Sequence, residues 1–254
     1  MWSLEIVMPW RKGQPRIRTD FWIDAWYMFF NFFVFSLIGY AALSDVVVYA
    51  LRSGITMATG IADFSWIDVR QLPGWSQLLI LFVVRDFIQW NVHRLLHAAP
   101  RLWEVHKVHH SVEQMGFAAH LRYHWGETMV YRTIEYLPLS LFGFGLTDFF
   151  AVHILALAIG HLNHANFDLP IGPLRYVFNS PQMHIWHHAK HLPAGVKGVN
   201  YGISLSCWDW LFGQAYIPSN GRDIPLGFDH IEQYPRGFFK QLLAPFQPRQ
   251  QKLP

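Results

Sequence analysis

The 254 residues include 15 histidines, and most of these stand in closely spaced groups. Two segments, at 106–110 and 184–188, share the pattern H-x-x-H-H. Residues three and four apart lie on one face of a helix, so several imidazoles of each segment can reach one ion. The adjacent doublet that ends each segment points to two sides and can serve two metals. The repeated pattern therefore predicts a metal centre.

Three further pairs of histidines have helical spacing: His93 and His97, His120 and His124, and His161 and His164. The pair at 93 and 97 can join the same metal centre, because both side chains share one helical face. The spacing leaves His120, His124 and His161 undecided between ligation and a structural role. Asp86 stands seven residues before His93 on the same face and is a candidate to orient an imidazole. A structural ion pair with Arg85 is the alternative for this carboxylate.

The number of histidines bears on the choice of metal. A structural zinc site usually takes four ligands, often with cysteine, whereas this chain has many histidines and one cysteine, Cys207. Imidazole suits iron, copper and zinc, so spacing alone does not select the metal. A pair of irons that activates dioxygen is the chemistry that needs so many neutral ligands beside lipid. We therefore expect two iron ions and dioxygen as co-substrate, with zinc able to replace iron in purified protein.

The elements that must position these histidines are predicted from an apolar composition. Hydrophobic residues make up 52% of the chain and charged residues 15%, against about 25% charged residues in soluble domains. A bilayer is crossed by about 20 apolar residues. The prediction is an all-α, integral-membrane helical bundle with about four spans, near 26–51, 75–97, 128–144 and 147–165. The last two spans form a short hairpin.

The distribution of basic residues sets the expected orientation. Arg11, Lys12, Arg16 and Arg18 precede the first span, and basic residues favour the cytoplasmic side. Every histidine cluster is then expected on the cytoplasmic side, in a helical cap above the spans. We expect one membrane domain over 1–254, with a cytosolic segment at 1–20, a histidine-box catalytic region at 75–216 and a cytosolic tail at 218–254.

Several other functions fit single features of the sequence. The net charge of +3 is small and the basic residues form no reading motif, which argues against a nucleic-acid partner. The alternative from another class is a haem- or metal-binding membrane protein that oxidises no substrate, although haem has no use for histidine doublets. In a divalent-metal transporter, the histidines would line a path across the bilayer. A zinc hydrolase would place a carboxylate base beside its histidines, as in H-E-x-x-H.

The combined spacing over roughly 75–216 resembles the fatty acid hydroxylase/sterol desaturase superfamily. The similar segments are Asp86 with the first histidine pair, both H-x-x-H-H boxes, His164-Ala165-Asn166 between them, and the tail with Asn200-Tyr201-Gly202 and Trp208-Asp209. Two positions depart from the family pattern, since Gly160 stands four residues before His164 and Trp125 replaces the usual proline in Arg122-Tyr123-His124-Trp125-Gly126-Glu127. The metal ligands implied by the resemblance are His93, His97, His106, His109, His110, His164, His184, His187 and His188.

The resemblance also implies a function. Members of this superfamily use two irons, dioxygen and an external electron donor to oxidise an unactivated C–H bond of a lipid. We therefore expect an oxidoreductase that hydroxylates a membrane lipid, with desaturation by the same site as the alternative. No cytochrome-like segment is recognisable, so a separate electron-transfer protein is the expected partner. The basic residues Arg94, Arg101, Lys107 and Lys190 are either its docking site or a solvated face. The sequence specifies neither the substrate nor the oligomeric state.

Overall fold

The structure is a computed structural model that describes residues 1–33, 40–62, 69–142, 144 and 146–247. The described residues form α-helices and short 3-10 turns, and their only β pairing consists of isolated bridges. The helical class agrees with the sequence prediction. The described residues contain ten α-helices: α1 (Trp2–Val7), α2 (Phe21–Phe29), α3 (Tyr40–Thr59), α4 (Gly74–Ala98), α5 (Pro100–His110), α6 (Trp125–Leu141), α7 (Leu146–His164), α8 (Pro181–His187), α9 (Cys207–Leu211) and α10 (Phe238–Leu243).

The predicted integral-membrane bundle of four spans is wrong, because no helix among the described residues is both long and apolar enough to cross a membrane. Helix α6 has 17 residues, a length of about 25 Å against a hydrocarbon core of about 30 Å. Helix α4 is longer, with 25 residues, but it buries Arg85, Asp86 and His93 against the rest of the protein. Its polar residues therefore belong to a protein core.

The other predicted spans fail for related reasons. The first was placed at 26–51, of which residues 34–39 lie outside the described part of the chain, and the described part is divided between α2 and α3. The predicted hairpin corresponds to α6 and α7, and both of these helices pack against α4. The cytoplasmic placement of the histidines was derived from the spans, and it stays a prediction.

Helix α4 is the central element of the fold and packs against α5, α6 and α7. It ends at Ala98 because Ala99 is extended (φ −88°, ψ 117°) and precedes Pro100, the first residue of α5. The sharp break directs α5 back along α4, so that histidines of both helices meet. Buried Val92, Leu96 and Tyr131 form a small apolar cluster between α4 and α6.

The N-terminal segment folds onto the protein instead of serving only as a topology signal. Glu5 accepts hydrogen bonds from the backbone N–H groups of Phe117 (2.8 Å) and Asn166 (2.7 Å). Arg18, assigned to the positive-inside signal in the sequence, is buried and forms an ion pair with Asp24 at 2.8 Å. These contacts fasten the first 24 residues to the turn that bears His120 and to the end of α7.

Candidate metal centre

Nine buried histidines form two compact groups, and within each group the potential ligand nitrogens all lie within 4.8 Å of one another. They are the same nine that the sequence predicts as ligands. The five-histidine group consists of His93, His97, His106, His110 and His187. The four-histidine group consists of His109, His164, His184 and His188.

The two doublets connect the groups. His109 and His110 are adjacent on α5, yet one belongs to each group, and His187 and His188 divide in the same way. The imidazole of His110 stacks on that of His188, with ring centroids 4.5 Å apart. Two potential ion sites therefore share one core of imidazoles, as the H-x-x-H-H spacing suggests.

Hydrogen bonds to oxygen acceptors fix the tautomers of several of these histidines. His93 donates its Nδ1–H to the carbonyl of Tyr201 (2.7 Å), and His187 donates to that of Val199 (2.8 Å). His164 donates to the carbonyl of Gly160 at 2.7 Å. A neutral imidazole that donates from Nδ1 carries a lone pair on Nε2. Three imidazoles therefore have a free lone pair on Nε2 with which they can bind a metal ion.

A fourth imidazole, that of His106, lies at a separation from His93 that bears on cation binding. His106 lies with Nδ1 3.0 Å from the carboxylate of Glu127, and its Nε2 is 3.1 Å from Nε2 of His93. When His106 donates from Nδ1 to an ionised Glu127, both Nε2 atoms present lone pairs to each other, an arrangement that a cation between them would stabilise. Two nitrogens that bind one ion at about 2.1 Å are separated by about 3.0–3.4 Å. The observed separation fits a shared ion.

The four-histidine group has the same spacing. Nε2 of His164 lies 3.0 Å from Nε2 of His184 and 3.3 Å from Nε2 of His109. Nε2 of His188 is 3.2 Å from that of His184. Each separation falls in the range expected for two nitrogens on one ion. Both groups therefore fit a metal by the chemistry of the donors and by their geometry.

Burial keeps these imidazoles neutral, which is the form that binds metal. It lowers the pKa of His93 to about 4 and the pKa of His164 to about 3. The pKa values of His109 and His188 lie well below the usual value, first because of burial and second because neighbouring imidazoles repel an added proton. The site is thus ready for cations at neutral pH, without competition from protons.

Glu127 is a candidate functional residue that the sequence interpretation missed, and it contacts His106. Its side chain is fully buried, and burial raises its pKa well above the usual value. An ionised carboxylate in this position is stabilised by a nearby cation, which the imidazole of His106 would contact on its other side. The available signal is its place in the segment from Arg122 to Glu127, in which the sequence marks only His124 as a candidate ligand.

Asp86 orients a loop and touches no imidazole directly. It accepts hydrogen bonds from the backbone of Ser204 (3.2 Å) and Leu205 (3.3 Å) and from Trp208 Nε1 (3.0 Å). Burial raises its pKa to about 6. The loop that Asp86 holds supplies the carbonyl of Tyr201 to His93. The carboxylate therefore supports the candidate metal site indirectly, through this loop.

Asp209 holds the same loop from the other side. Its carboxylate accepts hydrogen bonds from the backbone N–H groups of Tyr201 (2.9 Å) and Gly202 (2.8 Å) and from Trp90 Nε1 (2.8 Å). Asp209 belongs to the tail segment that carries the resemblance, and the resemblance implies no role for it. A buried acid beside a tryptophan was the only signal available.

The three undecided histidines lie outside both groups. His124 uses both ring nitrogens, since Nε2 donates to the carbonyl of Leu242 (3.0 Å) and Nδ1 accepts from the backbone of Gly126 (3.0 Å). His161 donates to the carbonyl of Phe117 at 2.9 Å. His120 is buried with its ring centroid 5.0 Å from that of His164. It therefore lies next to the four-histidine group.

Two openings approach the histidines from different directions. We call the first the inner cavity; its polar lining residues include Arg85, Gln89, His120, Tyr123, Glu135 and His153. The ring of Tyr123 lies 4.9 Å from that of His109, so this cavity ends beside the four-histidine group. We call the second the basic groove; it is lined by His97, His110 and His187 together with Lys107, Lys190 and Lys197. It reaches the five-histidine group.

Comparison with known proteins gives consistent results. The fatty acid hydroxylase family model matches residues 78–214. The chain is 33% identical to the ornithine lipid hydroxylase OlsE of Rhizobium tropici over 206 residues, covering 81% of this chain and 60% of that protein. It is 26% identical over 216 residues to the alkylglycerol monooxygenase of Caenorhabditis elegans, covering 75% of this chain and 41% of the relative.

A plant protein is also similar, since methylsterol monooxygenase 1-1 of Arabidopsis thaliana is 23% identical over 141 residues, covering 54% of this chain and 46% of that protein. The chain thus spans about 40–60% of the length of these relatives. No solved structure matches it. The predicted resemblance is confirmed by the family match, and the predicted oxidoreductase class agrees with relatives that are named hydroxylases and monooxygenases.

Proposed function

The chain belongs to the fatty acid hydroxylase family, and we propose that it is a di-iron oxygenase that hydroxylates a lipid with dioxygen. The observation that carries this proposal is the pair of Nε2 atoms on His93 and His106, which lie 3.1 Å apart in a fully buried site, the separation of two nitrogens on one ion. Nine neutral imidazoles in two adjoining groups match a pair of ions rather than one. Iron is favoured over zinc because the related enzymes carry out oxidations, which zinc does not support.

Two irons, when bound, would supply the activation of dioxygen, and the protein supplies position, protection and access. Backbone carbonyls and Glu127 hold the imidazoles in the tautomer that exposes Nε2 to the ion. Burial of all nine rings keeps bulk water away from the reacting atoms. The inner cavity provides a partly apolar path to the four-histidine group.

We infer that the substrate is a lipid and that it reaches the site through the inner cavity. Three relatives are named for ornithine lipid, alkylglycerol and methylsterol, which share a large apolar part. Apolar side chains are exposed on the two helices beside the cavity, among them Trp75 (71%) and Leu79 (53%) on α4 and Ile154 (62%) on α7. Exposed apolar surface of this kind is suited to contact with lipid.

We further propose that a separate, acidic electron-transfer protein docks at the basic groove. The groove brings Lys107, Lys190 and Lys197 next to the five-histidine group. Lys107 is paired with Glu104 at 2.8 Å, so its charge is partly compensated within the chain. Lys190 lies 4.0 Å from the exposed Glu232, a contact that solvent weakens. Lys190 and Lys197 are therefore better candidates than Lys107 for attracting a partner.

A comparison of lipid extracts tests the proposal. Cells that produce the wild type, His109→Ala or His187→Ala would be compared by mass spectrometry, with the iron content of each purified protein measured in parallel. We expect a lipid heavier by one oxygen atom with the wild type, much less of it with either variant, and less iron in both variants. A lipid lighter by two hydrogens would establish desaturation instead. Wild-type activity in both variants would refute the assignment of the metal centre.

A further inference from the structure

The inner cavity contains a buried polar cluster formed by side chains of three helices. Arg85 on α4 is 1% exposed and forms an ion pair with Glu135 on α6 at 3.2 Å. The same guanidinium nitrogen lies 3.3 Å from Nδ1 of His153 on α7. Three helices thus direct charged or polar groups to one point of a cavity that is otherwise partly apolar.

Two guanidinium nitrogens of Arg85 remain for a ligand. Within the described part of the chain, Nε and Nη1 are buried and have no hydrogen-bond partner. An unsatisfied buried donor costs roughly 1–3 kcal/mol, and more on a charged group, so a partner supplied by a ligand would be favourable. One turn further along α4, Oε1 of Gln89 is a buried acceptor without a partner among the described residues. The cavity therefore offers both donors and an acceptor.

The charge balance of this cluster argues against an anionic ligand. The positive charge of Arg85 is already opposed by Glu135 in the ion pair and by Asp86, the next residue on α4. An added anion would be repelled by both carboxylates. The free groups instead match a neutral group that accepts from a guanidinium and donates to an amide oxygen. Secondary amides and hydroxyls have both capacities, whereas an ester has only the first.

We propose that Arg85 and Gln89 form a recognition site for a neutral amide or hydroxyl group within the substrate lipid. The identity of the cavity as the lipid site rests on the proposed function. Arg85 precedes His93 by two turns of α4, about 12 Å along the helix axis. A lipid held there by its polar group presents a carbon at a set distance from that group to the histidines. Both residues then determine which lipid is bound and which carbon is oxidised.

Binding of matched probes tests this site without turnover. The probes are N-methylhexadecanamide, methyl hexadecanoate and hexadecane, each competing with a fluorescent hydrocarbon-chain probe in the same detergent micelles. We expect the wild type to prefer the amide over the hydrocarbon by about ten- to hundredfold, the range for one hydrogen bond to a charged group. The ester should fall between them, because it satisfies Arg85 but not Gln89.

Variants separate the two contacts. Arg85→Gln should reduce the preference of ester over hydrocarbon to about twofold, and Gln89→Leu should lose only the preference of amide over ester. Arg18→Gln is the matched control, since it removes another buried arginine with an acidic partner, at 2.8 Å, that does not line the cavity. This control should keep the wild-type order of the three probes.

The outcomes distinguish this inference from the proposed function. Equal binding of the three probes by the wild type would overturn the recognition site and indicate that water satisfies Arg85, even if a lipid is still hydroxylated. The wild-type order of binding in a protein that oxidises no lipid would support the site and refute the function. If Arg85→Gln does not fold, Gln89→Leu and the wild type still decide, because a retained preference of amide over ester in Gln89→Leu contradicts the proposal.

Discussion

The five-histidine and four-histidine groups are built alike but face different surroundings. Both are buried, both use residues of α5 and the segment at 184–188, and both place Nε2 atoms 3.0–3.3 Å apart. The five-histidine group opens to the basic groove, whereas the four-histidine group borders the inner cavity. One group thus meets a charged surface, and the other meets the space suited to a lipid.

The difference suggests a division of labour between the two proposed ion sites. Catalytic metal sites have fewer protein ligands than structural ones, because reactants need positions on the ion. The four-histidine group has one donor fewer and lies next to Tyr123 and His120 of the cavity. We therefore expect oxidation of the lipid at the four-histidine group and delivery of electrons from the side of the five-histidine group.

The largest expected effect comes from removing one ligand of each group. His188→Ala leaves three imidazoles in the four-histidine group and should lower product formation by at least about 100-fold, beyond the range for groups that only support a ligand. His97→Ala leaves four imidazoles in the other group and should cost only about tenfold. Product per bound iron, measured with saturating donor, is the readout. Equal losses in both variants would remove the proposed division of labour.

The next effect concerns the support of the five-histidine group by Glu127. Glu127→Ala removes the acceptor that holds His106 at 3.0 Å, and losses of such partners typically cost about 10- to 100-fold in metal affinity or activity. Glu127→Gln keeps an oxygen acceptor and should cost less. Competition with a metal chelator measures affinity directly. An unchanged affinity for one iron and a lowered affinity for the other is the expected pattern. Equal weakening of both would show that the groups are not separable.

Acid should destabilise the metal-free protein through both groups. Burial places the folded-state pKa of His93 at about 4 and that of His164 at about 3, below the ordinary value of 6.5. The unfolded chain then binds more protons below pH 6.5, so the free energy of unfolding falls as the pH drops from there towards the folded-state pKa values. Thermal unfolding from pH 7.5 to 5 measures this.

Bound metal sharpens the same experiment. Metal competes with protons for the imidazoles, so the iron-loaded protein should keep its melting temperature to a lower pH than the metal-free protein. A double variant, His93→Gln with His164→Gln, should show a shallower pH dependence without metal. A metal-free wild type whose melting temperature does not change between pH 7.5 and 5 would contradict burial of neutral imidazoles in both groups.

A smaller effect is expected from the loop that supports His93. Asp209→Ala removes the acceptor for three hydrogen bonds from Trp90, Tyr201 and Gly202. A cost of about 3 kcal/mol corresponds to a decrease of roughly 5–10 °C in melting temperature for a chain of this size. Asp223→Ala is the control, because that acid is exposed and forms an ion pair with Arg222 at the surface, away from the loop. A decrease as large in the control would argue against a specific role of the loop.

The histidine spacing predicted more of this site than the composition predicted of the fold. The doublets indicated two destinations for neighbouring imidazoles, because adjacent helical residues point in different directions, and the structure divides His109 from His110 accordingly. The division into five and four depends on how four separate segments meet, which spacing does not encode. The support from Glu127 likewise depends on α6 crossing α5, and the local segment does not indicate that this carboxylate meets His106.

The membrane spans were predicted wrongly because apolar composition does not distinguish a lipid-facing helix from a core helix. Leu81 and Val152 were assigned to spans, but both are buried in an apolar cluster with Leu139. Arg85 and Asp86 interrupted the second predicted span, and their burial against other helices shows that they belong to a protein core. Charged residues such as Arg85 and Asp86, within an otherwise apolar segment, are better interpreted as part of a buried site than as part of a membrane span.

The smallest expected effect concerns the basic groove beside the five-histidine group, where the electron donor is proposed to dock. Lys190→Glu and Lys197→Glu reverse charges in the basic groove and should reduce turnover roughly three- to tenfold at low salt, by slowing association with an acidic donor. Salt screens such attraction, so the difference from wild type should shrink as the ionic strength rises. Lys240→Glu on α10 changes the same charge outside the groove and should have little effect. Because the two groove variants leave the inner cavity intact, the affinity for lipid should stay at the wild-type value. A loss independent of salt, or one shared by Lys240→Glu, would place the docking of the donor elsewhere and leave the five-histidine group without its proposed role.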